Sequence, residues 1–459
     1  MPTPPNEPLV TVDPATETEI AAYNRLADAD LDDALGRAAD AFETHRQTAF
    51  AARADAMRRL ADLLETQTDD LGRLMTTEMG KPLAQAVAEA EKCAWVCRYY
   101  AERAEGFLAD EVRETGAARS FVAYEPLGPV LAIMPWNFPF WQVFRFAVPT
   151  VMAGGVGLLK HATSVLGCGE HVEALFREAG FAEGVLQHVV ISHEQAADAI
   201  ADDRVRAVTL TGSEAAGRAV GAQAGRALKP SVLELGGTDA FVVLADADLD
   251  AAVETGVRAR VQNNGQSCIA AKRFILEAPV AEAFTRRFAE RMEALVVGDP
   301  TRDVDLGPLV SADARDNVHD QVERAVADGA RLLTGGTVPG GTGFYYPPTV
   351  LTDVAEGSPA FGEEIFGPVA ALTVASDADD AVRLANATRF GLGGSVWTRD
   401  RDKGERIARA IRSGAVFVNE MTKSHPNLPF GGIGASGYGR ELGREGIRAF
   451  VNTKTIWVD

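Results

Sequence analysis

Cys268 sits in the stretch NNGQSCIAAKR (263–273), beside a glycine, two small polar neighbours and a basic pair. The thiolate is the reactive form of cysteine, and a backbone-rich turn with nearby cations favours it. A buried free cysteine filling a core is nevertheless the commoner case, so this thiol needs company to count as a nucleophile. Asn137 follows VLAIMPW and offers an amide N–H to a developing oxyanion. Glu234 lies in LELGG, a carboxylate flanked by small residues that leave space for a substrate or cofactor. Buried away from partners, such a Glu has a raised pKa and serves as a general base near neutral pH. Lys160 closes GVGLLK, and Gly212 and Ser213 lie in TGSEAAG. That segment lacks the first, third and sixth glycines of a dinucleotide fingerprint. It still turns into a helix N-terminus, where free N–H groups and the helix dipole attract a phosphate. An ordinary Ser N-cap is the plainer reading of Ser213. Taken together, a thiol, a base, an amide donor and a phosphate site fit covalent chemistry at a carbonyl with a nucleotide cofactor.

The elements that must position these groups are legible in outline. Residues 31–115 carry alanine, leucine and arginine at helical spacing and predict an antiparallel pair or triplet of helices. After Gly116, RSFVAYEPLGPVLAIMP changes to a strand pattern broken by a Pro-Leu-Gly-Pro turn. From there PVLAIM, GVGLLK, LQHVVI, AVTLTG and SVLELGG alternate with helices expected at 140–152, 165–179, from 194, and 214–228. Such alternation predicts a parallel sheet with helices on both faces, which binds ligands at the carboxyl ends of its strands. Asn137, Lys160, Gly212, Ser213 and Glu234 all fall there. A second alternating series runs through AFVVLADAD, KRFILE, PVAALTVA, GGSVWT and AVFVNE. The tail RELGREGIRAFVNTKTIWVD has a helical start and an extended end suited to pairing near Phe121. Lys272 and Arg273 open a strand, where they can simply face solvent.

Bulk properties narrow the function classes. A chain of 459 residues exceeds what one core usually serves, so two or three domains are expected. The net charge of −20 opposes nucleic-acid binding, which needs clustered cations. The longest apolar run, AVPTVMAGGVGLL, is too short for a bilayer, and the first residues carry no leader pattern. Cys93, Cys97, Cys168 and Cys268 form neither a disulfide framework nor a zinc array, so a reducing cytoplasm is expected and no metal. Only eight lysines stand among the 45 basic residues; this acidic, lysine-poor surface suits a salt-loving source.

At these residues the sequence resembles the NAD(P)-dependent aldehyde dehydrogenase superfamily, and succinate-semialdehyde dehydrogenases in particular. PWNFPFW, LLKHA, TGSEAAG, LELGG, NNGQSC, EEIFGPV and PFGGIGASGYGRELG correspond, in order and at family spacing, from about residue 8 onward. The resemblance implies an α/β fold with a Rossmann-like cofactor domain (1–118 and 134–234, with 426–444 packing back on it). It also implies an α/β catalytic domain (235–425) and a small β oligomerisation arm (119–133 and 445–459). A homo-oligomer, dimer or tetramer, is expected with it. Cys268 would attack the aldehyde, the oxyanion being held by Asn137 and the Cys268 N–H. Hydride would pass to the nicotinamide, and Glu234 would activate the water that hydrolyses the thioester. Lys160 and Glu364 would hold the riboses, Gly212 and Ser213 the pyrophosphate, Phe366 the nicotinamide ribose, and Trp136 the adenosine side.

Two departures bear on cofactor and substrate. Members preferring NAD often carry a glutamate three residues after the lysine; here Thr163 stands there, which admits the 2′-phosphate of NADP alongside NAD. Arg145, two helical turns beyond Asn137, resembles the arginine that pairs with the distal carboxylate of succinate semialdehyde, with Trp141 lining the same funnel. A second arginine of some such enzymes is Gln262 here, and Lys423 or His425 are candidates for the missing charge. The alternatives are a broader dehydrogenase of aliphatic or aromatic aldehydes, acyl transfer to coenzyme A, which Glu234 opposes, and a silent scaffold.

Overall fold

The computed structural model describes residues 8–459. The first seven residues, expected at the head of the cofactor domain and without a leader pattern, lie outside the described residues. After an antiparallel hairpin of Leu9–Val12 and Glu19–Tyr23, four helices follow rather than two or three: Asp28–His45, Phe50–Thr66, Thr68–Met79 and Leu83–Phe107. They share one core with a six-stranded sheet. In that sheet Pro129–Met134 lies between Val156–His161 and Ala207–Thr211, with Leu186–His188 beyond the former and Ser231–Glu234 beyond the latter. These pairings are all parallel. The chain moves outward from Pro129–Met134, then crosses back to the other side, and the reversal opens a crevice at the carboxyl ends. Gly437–Tyr438 closes the edge antiparallel to Ser231–Glu234, within the segment expected to pack back.

Residues 129–133 do not belong to the arm. They form the middle of this sheet, because PVLAI is buried throughout or nearly so and pairs on both edges. The arm itself is a three-stranded antiparallel sheet of Glu111–Val112, Arg119–Pro126 and Val451–Val458. Its register sets Ile456 against Phe121, the pairing the tail's pattern suggested.

The second sheet has seven strands, parallel except for the edge strand Arg331–Thr334. In Ala240–Val243 the side chains alternate between two separate cores: Ala240 and Val242 on one face, Phe241 and Val243 on the other. A sheet covered on both faces needs such a continuous apolar run. The helix Ala312–Ala327 and the strand after it were not legible in the sequence, since ADARDNVHDQVERAVA carries few apolar residues. Among the described residues, no helix is long and apolar enough to cross a membrane.

Candidate active site

The nucleophile's loop is held by amides. Asn263, Asn264 and Gly265 all take left-handed backbone angles (φ 56°, 59° and 74°), a conformation that Asn and Gly tolerate best. Asn263 Nδ2 donates to the Asn137 carbonyl (2.7 Å) and to the Gln266 carbonyl (3.0 Å). Asn264 Nδ2 donates to the carbonyls of Gly80 and Pro308, both at 2.8 Å. The turn therefore cannot relax, and it delivers Cys268 to the seam between the two sheets. Lys272 and Arg273 do not face solvent; both are buried. Lys272 Nζ donates to the carbonyls of Ser267 and Cys268 at 2.8 Å and stands 3.3 Å from Glu364. Arg273 donates to the carbonyls of Thr238, Leu384 and Ala385.

Enclosure by protein pushes the Cys268 thiol up to about 12, with Lys272 and Arg145 opposing the rise. It rests as a thiol at neutral pH, so attack requires a proton acceptor. Glu234 meets that need. Burial first, and then the neighbouring Glu441 carboxylate, raise its pKa well above the usual range. Neither of its carboxylate oxygens has a hydrogen-bond partner. Burial also raises Glu441, whose carboxylate pairs with Arg145 Nε. Asn137 is buried, with Oδ1 accepting from Gln142 Nε2 at 2.8 Å and Nδ2 donating to the Gln266 carbonyl at 3.0 Å. Gln142 thereby fixes which end of the amide is the donor, leaving the second Nδ2 hydrogen for an oxyanion.

Two cavities meet here. One, of about 260 Å³, is lined by Trp136, Asn137, Gly212, Ser213, Glu364 and Phe366, with Glu234 and Cys268 at its inner end. Ser213 caps the helix Glu214–Arg226, its Oγ accepting from Ala216 N at 3.2 Å. Glu364 accepts from Gly237 N at 3.1 Å, and any Cβ on Gly236 would collide with its carboxylate. Trp136 and Phe366 meet edge to face at 5.7 Å. Lys160 is buried and outside this lining; its pKa is lowered by burial and by Arg25, and both cations also lower His193. Thr163 opens a short 3-10 turn beyond it and is exposed. A glycine cradle, a capped helix N-terminus and a cationic neighbourhood free of a carboxylate at Thr163 fit a phosphorylated dinucleotide.

The other cavity, of about 190 Å³, reaches Cys268 from the opposite side. Trp141, Arg145 and Gln262 line it, and Phe138 and Phe430 make its walls apolar. Arg145 is already engaged: besides Glu441, its Nη2 donates to Thr211 Oγ1 at 3.3 Å, and its guanidinium lies 4.6 Å from the Phe430 ring. Lys423 touches the cavity but pairs with Glu420 at 2.9 Å. His425 is outside the lining and packs on Trp95 at 4.6 Å. Sequence reasoning missed Gln142, Glu441, Lys92 and Ser424. Gln142 lay in plain view five residues after Asn137. Lys92 and Ser424 are brought together from 332 positions apart, a link that no local pattern signals.

The aldehyde dehydrogenase family model matches residues 3–456. A probable succinate-semialdehyde dehydrogenase [NADP(+)] of Synechocystis is 50% identical over 451 residues, covering 98% of this chain and 99% of its own. Succinate-semialdehyde dehydrogenase [NADP(+)] 1 of Mycobacterium tuberculosis H37Rv is 50% identical over 455 residues, covering 98% and 100%. The solved structure of succinic semialdehyde dehydrogenase from Streptococcus pyogenes in complex with NADP+ superposes with TM-score 0.96 at 34% identity, over 98% of this chain and 99% of that one.

Proposed function

The chain belongs to the aldehyde dehydrogenase family, and within that family we propose that it oxidises succinate semialdehyde to succinate with NADP+. The observation that carries the reading is the position of Cys268, which lies on both cavities. One nucleophile thus serves an aldehyde entering from one side and a nucleotide lodged on the other.

Cys268 attacks the carbonyl carbon while its proton passes to Glu234, the unpartnered carboxylate of the site. The thiohemiacetal oxygen is held by Asn137 Nδ2 and the Cys268 backbone N–H. Bound NADP+ supplies the hydride acceptor. Loss of hydride from carbon leaves a thioester on Cys268. After releasing that proton to solvent, Glu234 takes a proton from water, the hydroxide adds to the thioester carbonyl, and the sulfur leaves, regaining the proton from Glu234 as the acid forms. A carboxylate with an elevated pKa suits both proton transfers. Ser213 and the turn at Gly212 would hold the pyrophosphate, Glu364 a ribose, Phe366 would help place the nicotinamide ribose, and Trp136 would line the adenosine side.

Thr163, Lys160 and the nearby Arg25 favour the 2′-phosphate of NADP+, in line with the relatives named for that cofactor. The four cysteines are free, which suits a reducing cytoplasm. The arm exposes Trp457 and Val458 on an edge strand, the kind of surface a homo-oligomer covers. The acidic surface suits high salt. The test is nucleotide reduction with succinate semialdehyde and with butanal, a neutral aldehyde of equal length. The account expects kcat/KM for the acid to exceed that for butanal by about 100-fold, with NADP+ reduced faster than NAD+. Preference for butanal, or for NAD+, would contradict the corresponding half.

A further inference from the structure

We propose that Lys92, on the long helix Leu83–Phe107, is the residue that pairs with the distal carboxylate of the substrate, taking the place of the cation absent at Gln262. The assignment rests on the succinate-semialdehyde reading above and deepens it.

Four charged side chains line this cavity, Glu89, Lys92, Arg145 and Lys423, beside Gln262 where a cation was expected. Gln262 is neutral. Arg145 is paired with Glu441 in the interior, and Lys423 with Glu420 at the rim. Lys92 has no carboxylate partner among the described residues. Its ammonium donates to Ser424 Oγ at 2.8 Å and sits 4.1 Å from the centroid of the Trp141 ring, both of which line the same cavity. Trp141 Nε1 also donates to Ser424 Oγ, at 3.1 Å, so hydroxyl and ring hold the ammonium at the wall.

Glu89, one turn earlier on the helix, does not neutralise it. That carboxylate accepts from the backbone N–H groups of Phe140 and Trp141, both at 2.9 Å, and pairs with the buried Lys81. The groups that face Lys92 are Glu89 and Cys93 on its own helix, Arg145 on the helix Trp141–Met152, and His425 beside Ser424. Burial and then Arg145 lower the Lys92 pKa to about 8, against smaller opposing effects of Cys93 and Glu89. An ammonium held that low gains from an incoming carboxylate, which replaces lost hydration and restores the charged form. A neutral aldehyde makes no such contact.

The readout is the ratio of kcat/KM for succinate semialdehyde to kcat/KM for butanal. In Lys92→Met the ratio is expected to fall about 100-fold, and in Lys92→Arg to return to within about tenfold of the wild type. In the wild type the ratio is expected to drop about tenfold per pH unit above the free enzyme's Lys92 pKa, because only the protonated amine attracts the carboxylate. In Lys92→Arg that limb disappears. Steps common to both substrates cancel in the ratio, and the wild-type pH profile needs no variant to fold. A wild type that prefers the acid with a pH-independent ratio, or a Lys92→Met enzyme that keeps the preference, overturns this assignment alone. A wild type without preference for the acid overturns it together with the substrate reading.

Discussion

The two cavities that meet at Cys268 are built from different materials. On the nucleotide side the polar groups stand where backbone segments stop. Trp136 and Asn137 follow one strand, Gly212 and Ser213 another, and Glu234 closes a third. On the substrate side they project from the faces of two helices and a distant loop: Lys92, Trp141, Arg145 and Ser424. A site made of strand ends is fixed once the sheet forms, and it leaves contiguous motifs in the chain. A funnel made of helix faces is an assembly of separate side chains, each exchangeable without moving a strand. A substitution in the funnel can therefore change what it accepts without moving the strand ends that build the nucleotide side.

The contrast can be broken at the shared residues or sharpened on either side. The largest effect is expected from Glu234→Gln, which removes the base that serves both the attack and the hydrolysis. Steady-state turnover should fall about 10³-fold, and stopped-flow NADPH formation should show a slow first turnover with no burst; a fast burst near one per subunit would confine Glu234 to the hydrolysis step. Arg145→Ala should be the next largest, since Arg145 lines the funnel yet compensates Glu441 in the interior. Leaving that buried carboxylate alone is expected to cost about 3–5 kcal/mol of stability, read by chemical denaturation. An unchanged unfolding free energy would confine Arg145 to the funnel.

Thr163→Glu acts on the nucleotide side only. The added carboxylate should raise KM for NADP+ by about 10- to 30-fold, with KM for the aldehyde within about twofold. Equal effects on both would mean that the two cavities are not separable. The last test changes no residue and concerns the free thiol. With the Cys268 thiol pushed up to about 12, inactivation of the nucleotide-free enzyme by iodoacetamide should climb about tenfold per pH unit from neutrality to about pH 10. A plateau near neutral pH would indicate a preformed thiolate.

The same contrast governs what was legible in the sequence. NNGQSC announced itself because three successive left-handed residues demand Asn and Gly there. TGSEAAG did so because a strand must stop and a helix must be capped. Lys92 gave no signal, since a lysine in a helical pattern is ordinarily a solvated one, and Glu441 was hidden in a loop motif that gave no hint of Arg145. The pattern of 119–133 is continuous in strand character, so it reads as one arm, although the arm ends and the central strand begins at the Pro-Leu-Gly-Pro turn. The sequence leaves Lys272 and Arg273 undecided because the carbonyls that receive their N–H groups come from other segments and from the turn itself.

The central claim is that one cysteine carries the acyl group between the two cavities. The direct measurement is to mix the wild-type enzyme with NADP+ and succinate semialdehyde, quench in acid within the first turnover, and map the adduct by peptide mass spectrometry. The account predicts a succinyl group on the peptide containing Cys268, formed with NADP+ and absent without it. NADPH production with no adduct, or an adduct on Cys93, Cys97 or Cys168, would contradict it.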